Sequence, residues 1–198
     1  MDDHGRSAAI LAGGLATRLG GRDKSALLVD GRAILDRQID ALTPLVDDLM
    51  IVGHRVNVPG ARVIADIVPG CGPLGGLHAA LTSARSDVLF LVACDMPYVS
   101  SALVEHLLSL AGDADAVVPQ TERGYHPLCA VYTRTCLEPA AAQLADRRLK
   151  MLELLERVRV RVVPIEEIRC FGAPDRLLAN VNTPADYAGL ETLQGHKL

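Results

Sequence analysis

The apolar run Ala8-Ala9-Ile10-Leu11 stops at the glycine pair Gly13-Gly14, and this break does most to limit what the chain can fold into. Four apolar residues without polar alternation read as a strand buried on both faces. The segment Leu11-Ala-Gly-Gly-Leu-Ala-Thr-Arg-Leu-Gly-Gly-Arg-Asp-Lys24 then adds a second pair, Gly20-Gly21, and two fixed cations, Arg18 and Lys24. Glycines let bare backbone N–H groups come close to an anion, and the cations neutralise a polyphosphate. Phosphate-handling chemistry therefore stands at the first strand-to-helix turn. The loop is not a P-loop, because Lys24 follows Asp23 where G-x-x-x-x-G-K-[ST] needs a glycine.

Strand-like and helix-like segments alternate from there on. Ile34, Leu35, Ile39, Leu42 and Leu45 recur at helical spacing, and Leu49 to Val52 and Ala61 to Ala65 are short apolar strands. Gly72-Pro73 opens a helix to about Ala84, proline being suited to a first turn. Asp87 to Ala93 is the strongest strand, and Ser100 or Ser101 caps a helix carrying Leu103, Val104, Leu107, Leu108 and Leu110. Strands at Ala114 to Pro119, Leu128 to Thr133 and Val158 to Pro164 interleave with helices at Cys136 to Leu144 and Lys150 to Arg157, and a last helix begins at Pro184. This rhythm predicts an α/β fold, a doubly wound and mostly parallel sheet of Rossmann-like form. In such sheets ligands sit at the carboxyl ends of the strands. No linker or repeat divides the 198 residues, so one domain over 1–198 is expected, with residues 1–7 as a flexible tail.

Composition excludes several function classes. A net charge of −4, aromatics at 3% and no Trp leave neither the basic field nor the stacking platforms of a nucleic-acid binder. The five cysteines are scattered with no C-x-x-C pair, which reads as buried thiols in a reducing compartment. The polar start, Met1 to Ser7, lacks signal-peptide character, and the longest apolar stretch, Val88 to Cys94, is too short to span a bilayer. A cytoplasmic protein without membrane contact is expected.

Three segments carry candidate chemistry. In Leu89-Phe-Leu-Val-Ala-Cys-Asp-Met-Pro97 an acid follows an apolar strand and a proline turns the chain away. Asp95 there suits Mg²⁺, which takes one or two carboxylates together with substrate phosphates. Alone it would read as a turn-capping aspartate; with a polyphosphate loop upstream it becomes the best catalytic candidate. Asp66, after Ala61 to Ala65, has two readings, a nucleotide or metal contact and a turn cap. Gly70, Gly72 and Gly75 spell G-x-G-x-x-G, with an acid twenty residues on, as a dinucleotide fingerprint would. Against that, Ile67-Val-Pro69 separates the strand from the first glycine, and Pro73 lacks the N–H that pyrophosphate would use.

The string L-A-G-G-x-x-x-R-x-G-G-x-D-K resembles the nucleotide-loop signature of the molybdenum cofactor guanylyltransferases, within a wider class that includes the nucleotide-sugar pyrophosphorylases. Leu19 stands where members more often have methionine. The related cytidylyltransferases read L-A-A-G, so Gly13 favours the guanine branch. Four more motifs follow in order: an aspartate, Asp66, before Pro69-Gly-Cys-Gly-Pro-Leu74; C-D-x-P at Cys94 to Pro97; H-P-x-x-A-x-Y at His126 to Tyr132; and N-x-N-T-P at Asn180 to Pro184.

The resemblance implies transfer of GMP from GTP to the terminal phosphate of molybdenum-bearing molybdopterin, with Mg²⁺ on Asp95. It implies Asp95, Arg18 and Lys24 as the catalytic set, the two cations on the triphosphate. Leu11, Ala12, Gly13, Gly14, Lys24, Gly53, Asp66 and Asp95 would contact the nucleotide, and His126, Asn180 and Asn182 the pterin. Asn182 also suits a helix cap, and His126 by itself reads as an ordinary loop histidine. Gly53 stands where the family commonly has asparagine, which loosens the base assignment. GTP and molybdopterin would be the partners, with proteins of cofactor biosynthesis or molybdoenzyme maturation as transient contacts. The alternatives are a related enzyme using CTP or a sugar phosphate, a dinucleotide-binding oxidoreductase, and a nucleotide sensor.

Overall fold

The computed structural model describes residues 5–12, 28–53 and 58–181. Strand β1 is Arg6–Leu11. A small antiparallel hairpin, β2 (Leu28–Val29) and β3 (Arg32–Ala33), leads into helix α1, Ile34–Leu42. Strands β4 (Asp48–Val52) and β5 (Arg62–Ile64) are followed by α2, Gly72–Ser83. Then come β6 (Val88–Ala93), α3 (Ser101–Ser109), β7 (Ala116–Thr121), β8 (Gly124–Tyr125) and β9 (Cys129–Thr133). Helices α4 (Leu137–Ala145) and α5 (Met151–Leu155) precede β10 (Val160–Val163), α6 (Ile165–Ile168) and α7 (Pro174–Leu177).

The main sheet runs β10-β7-β9-β6-β1-β4-β5, with β8 paired to β7. Strand β9 is antiparallel to β6 and β7, and the other neighbours along this path are parallel. From β1 the chain moves outward to β4 and β5, then returns across β1 to β6. The order therefore reverses at β1, and the crevice at the carboxyl ends beside it is where open α/β sheets hold ligands. Register puts Leu11 beside both Val52 and Ala93.

The pleat divides the core into two layers. Ala9, Leu11, Met50, Val52, Leu89 and Leu91 face Leu74, Leu77 and Leu81 of α2 and Ala140 and Leu144 of α4. Their alternates Ala8, Ile10, Leu49, Ile51, Phe90 and Val92 face Leu35 and Leu42 of α1 and Leu103, Val104 and Leu107 of α3. Helices thus cover both faces, and this is why the central strands read as unbroken apolar runs.

The structure refines the expected boundaries. Strand β1 starts at Arg6, and Ser7 is buried with its hydroxyl donating to Asp48 Oδ2 at 3.3 Å, so the tail expected over 1–7 does not reach that far. Helix α1 ends at Leu42, and Thr43–Leu45 form a 3₁₀ turn; Pro44 has no N–H to continue the α ladder. Both serines at the start of α3 have work. The Ser100 hydroxyl accepts from Leu103 N at 3.5 Å as the N-cap, and Ser101 donates to Ala41 O at 2.9 Å, fastening α3 to α1. The helix expected from Pro184 lies outside the described residues.

Candidate active site

Backbone hydrogen bonds past the last sheet residues line up one rim. Ala12 N donates to Val52 O at 2.9 Å, Gly53 N to Ile64 O at 2.9 Å and Cys94 N to Leu11 O at 3.1 Å. Ala93 N donates to Leu128 O at 3.0 Å, which brings the entry to β9 to the same edge. Leu11, Ala12, Gly53 and Asp95 are thereby brought to neighbouring strand ends, with Asp66 two residues past β5 at its edge. Gly13, Gly14, Arg18, Lys24 and Asn182 lie outside the described residues, as does His54.

The turn bearing Asp95 is held by its main chain. Val181 N donates to Asp95 O at 2.8 Å, so the Asn180-Val181 segment is fastened beside the acid. Gln38 Nε2 on α1 donates to Ala93 O at 2.8 Å and to Met96 O at 2.9 Å. Arg37 Nε donates to Pro97 O at 3.1 Å. Four carbonyls around Asp95, those of residues 93, 95, 96 and 97, accept hydrogen bonds in this way. Tyr98, just beyond, is stacked by the guanidinium of Arg176 at 4.4 Å and by that of Arg37 at 5.4 Å, which ties α7 to the rim. Sequence reasoning missed Gln38, Arg37 and Arg176. Gln38 had a signal: with Leu35 and Leu42 it sits on the apolar stripe of α1, where a polar residue needs a partner.

His126 is half-buried, its Nε2 2.8 Å from Thr121 Oγ1. Burial, and then the Arg123 cation, lower its pKa from the ordinary imidazole value and so favour the neutral ring. Tyr132, fully buried, donates its hydroxyl to Pro127 O at 2.8 Å and fixes the turn between His126 and β9. That bond explains the spacing of H-P-x-x-A-x-Y: its tyrosine shapes the turn that carries its histidine. Asn180 is exposed on the rim.

Gly53 takes φ +80°, where glycine is at home and asparagine is among the more tolerant residues. This left-handed φ is one that an asparagine tolerates better than most residues, and the glycine brings no side chain to it. In the glycine turn, a Cβ on Gly76 would lie 2.8 Å from Leu11 Cδ2, so this glycine lets α2 pack on β1. Gly70 and Gly72 take φ of +78° and +59° and shape the turn itself. The G-x-G-x-x-G run follows β5, the outermost strand of this edge, whereas a dinucleotide fingerprint belongs beside the switch point at β1. The oxidoreductase alternative fails on that placement.

Among the described residues no group of three His, Cys, Asp or Glu side chains converges as a protein-only metal cage. The hard carboxylate of Asp95 at a strand end is the donor set that Mg²⁺ uses with phosphates and water. The residues present therefore fit that ion. Among the described residues no helix is long and apolar enough to cross a membrane.

A switch-point rim with an acid after β6 is the layout of a nucleotide-handling α/β enzyme, and comparison with known proteins narrows the class to nucleotidyltransferases. Residues 8–162 match the model of the MobA-like NTP transferase domain. The molybdenum cofactor guanylyltransferase of Desulfosudis oleivorans is 34% identical, over 88% of this chain and 88% of that protein. The crystal structure of molybdopterin-guanine dinucleotide biosynthesis protein A from Archaeoglobus fulgidus superposes with a TM-score of 0.82 at 25% identity, covering 96% of this chain and 100% of that one. A Mycobacterium tuberculosis protein crystallised as a complex with manganese has the same fold, with a TM-score of 0.67 at 19% identity over 94% of this chain and 97% of that one. The chain belongs to the molybdenum cofactor guanylyltransferase family.

Proposed function

We propose that this enzyme transfers GMP from GTP to the terminal phosphate of molybdopterin carrying molybdenum. The observation that carries this reading is the pair of backbone bonds that fasten Leu11 and Val181 to the Cys94-Asp95 step, at 3.1 and 2.8 Å. They bring the start of the phosphate-loop segment, the acid and the N-x-N segment to one crevice. The names of the relatives support the choice of guanine and of a molybdenum cofactor.

In this reading the nucleotide lies along Leu11, Ala12, Gly13 and Gly14, with Gly53 and Asp66 beside it. Arg18 and Lys24 hold the triphosphate, and Asp95 with Mg²⁺ completes its neutralisation. The metal supplies Lewis-acid polarisation of phosphate oxygens. A terminal phosphate oxygen of the second substrate attacks the α-phosphorus of GTP. The bond from that phosphorus to the bridging oxygen of the β-phosphate breaks, and pyrophosphate leaves. The attacking phosphate is already an anion, so no serine or cysteine nucleophile is needed. Positioning and charge neutralisation are the protein's contribution.

His126, Asn180 and Asn182 line the pterin side. A neutral His126 and the amide of Asn180 offer both donors and acceptors to a heterocycle edge. The whole chain, 1–198, is read as one nucleotidyltransferase domain, a reading supported by the single continuous main sheet. The test is a pyrophosphate-release assay with the pterin substrate and Mg²⁺, comparing GTP, CTP and ATP. Release with GTP alone is expected. Release with CTP at an equal rate would move the protein to the cytidine branch.

A further inference from the structure

Gln38 has no place in the proposed set of substrate-contacting residues, yet its geometry is aimed at the turn they depend on. It is fully buried, 0% exposed, in the middle of α1. Its amide nitrogen donates to two carbonyls, Ala93 O at 2.8 Å and Met96 O at 2.9 Å, one on each side of Asp95. The opposite amide orientation would set Oε1 against both carbonyl oxygens, so the two acceptors fix which atom is nitrogen. Oε1 is buried without a hydrogen-bond partner among the described residues. A buried amide that satisfies its donors and leaves its acceptor unmatched is a local cost to the fold. The cost is tolerated where the donors do something that an apolar residue cannot.

What they do is set the width of the turn. Ala93 is the last residue of β6, and Met96 N also donates to Ala93 O at 3.3 Å. One amide bridging the carbonyls of 93 and 96 prevents the turn from opening. Arg37 on the same helix turn holds Pro97 O, so α1 grips the turn at three carbonyls. Val181 holds the fourth, on Asp95 itself.

We propose that Gln38 is a positioning residue for nucleotidyl transfer: by clamping Ala93 and Met96 it fixes the direction in which the Asp95 carboxylate meets the metal and the triphosphate. This rests on the reading of Asp95 as the metal carboxylate. The test uses the full chain, with Gln38→Met, which keeps length and packing and removes both donors. The transfer rate is measured across a Mg²⁺ titration and repeated with Mn²⁺, alongside a thermal melt. Supporting groups behind a metal ligand characteristically change metal affinity or activity by roughly 10- to 100-fold. The half-saturating Mg²⁺ concentration is expected to rise about tenfold, with kcat reduced and KM for GTP at saturating metal unchanged. A role in stability alone would lower the melting temperature without moving the metal titration.

A folded Gln38→Met protein with the parent's Mg²⁺ curve and kcat overturns the proposal. Should that variant not fold, Arg37→Met is read in the same way. It removes the Pro97 contact from a half-buried position, and a smaller rise in the Mg²⁺ requirement is expected; an unchanged curve overturns the proposal. Asp95→Asn separates the two levels. If it is inactive while Gln38→Met is normal, only the positioning role falls. If Asp95→Asn transfers normally, the metal reading and the positioning role fall together.

Discussion

The two ends of the main sheet hold themselves together by different chemistry. At the amino ends, acids are matched to arginines. Asp48, 3% exposed, takes Arg62 Nε and Nη2 at 2.7 Å each, and Arg62 continues to Ser83 O at 2.9 Å. Asp115 is bonded by the Arg159 side chain at 3.0 and 3.2 Å, and Asp87 takes Arg134 Nε at 2.7 Å. At the carboxyl ends, the Asp95 turn is fixed through its carbonyls by a neutral amide, a guanidinium and a backbone N–H. Carboxylates at one end are structural parts; at the other, main-chain bonds do the structural work around the carboxylate proposed to hold the metal. A buried, perturbed acid such as Asp48 is thus no guide to the active site here.

Three substitutions test that contrast, beginning with the largest expected effect. Asp95→Ala should slow Mg²⁺-dependent transfer on the order of 10³-fold while leaving the melting temperature close to that of the parent. Near-normal activity would remove Asp95 from the chemistry and erase the contrast. Asp48→Asn should do the reverse, costing about 3 kcal/mol of stability in urea titrations with transfer per folded molecule unchanged. Burial raises the Asp48 pKa, but hydrogen bonds from Arg62 and from Arg85 N outweigh it and bring it below 3.8. A depressed pKa stabilises the fold above the unfolded value. The parent's advantage should therefore be complete above about pH 4 and vanish as pH falls through the lower folded-state value. A difference between parent and variant that grew with acidity would contradict that sign. Asn180→Ala, at the rim, should weaken the pterin substrate about tenfold, the scale of one hydrogen bond to a ligand, and leave GTP binding as it was. Loss of GTP binding instead would put the nucleotide where the pterin is assigned.

Much of this plan is legible in the chain, for identifiable reasons. Strands buried on both faces leave apolar runs such as Leu89 to Ala93, and the residue after each run marks the rim. Strand direction leaves no such mark. Cys129–Thr133 reads as an apolar run like the parallel strands of the sheet, and its reversal is visible only in the pairing of Val92 with Cys129 and of Val88 with Thr133. The short hairpins at 28–33 and 121–125 also escape, because two-residue strands carry no period to read. Gly53 is legible as a departure from the family pattern, but its meaning needs the backbone angle. Gln38 could have been found as the polar member of an apolar stripe, although its targets, fifty-five and more residues away, could not.

The bond from Val181 N to Asp95 O also bears on the order in which the enzyme becomes competent. Synthesis runs from the amino terminus, so β1, β4 and β6 emerge well before residue 181. The sheet can assemble on the ribosome while the acid's own carbonyl still lacks this partner. A nascent chain cut short before Val181 would retain most of its core and lose a tether at the Asp95 turn. The tether on the Asp95 carbonyl therefore forms only after the N-x-N segment has been made, later than the strands whose ends it joins.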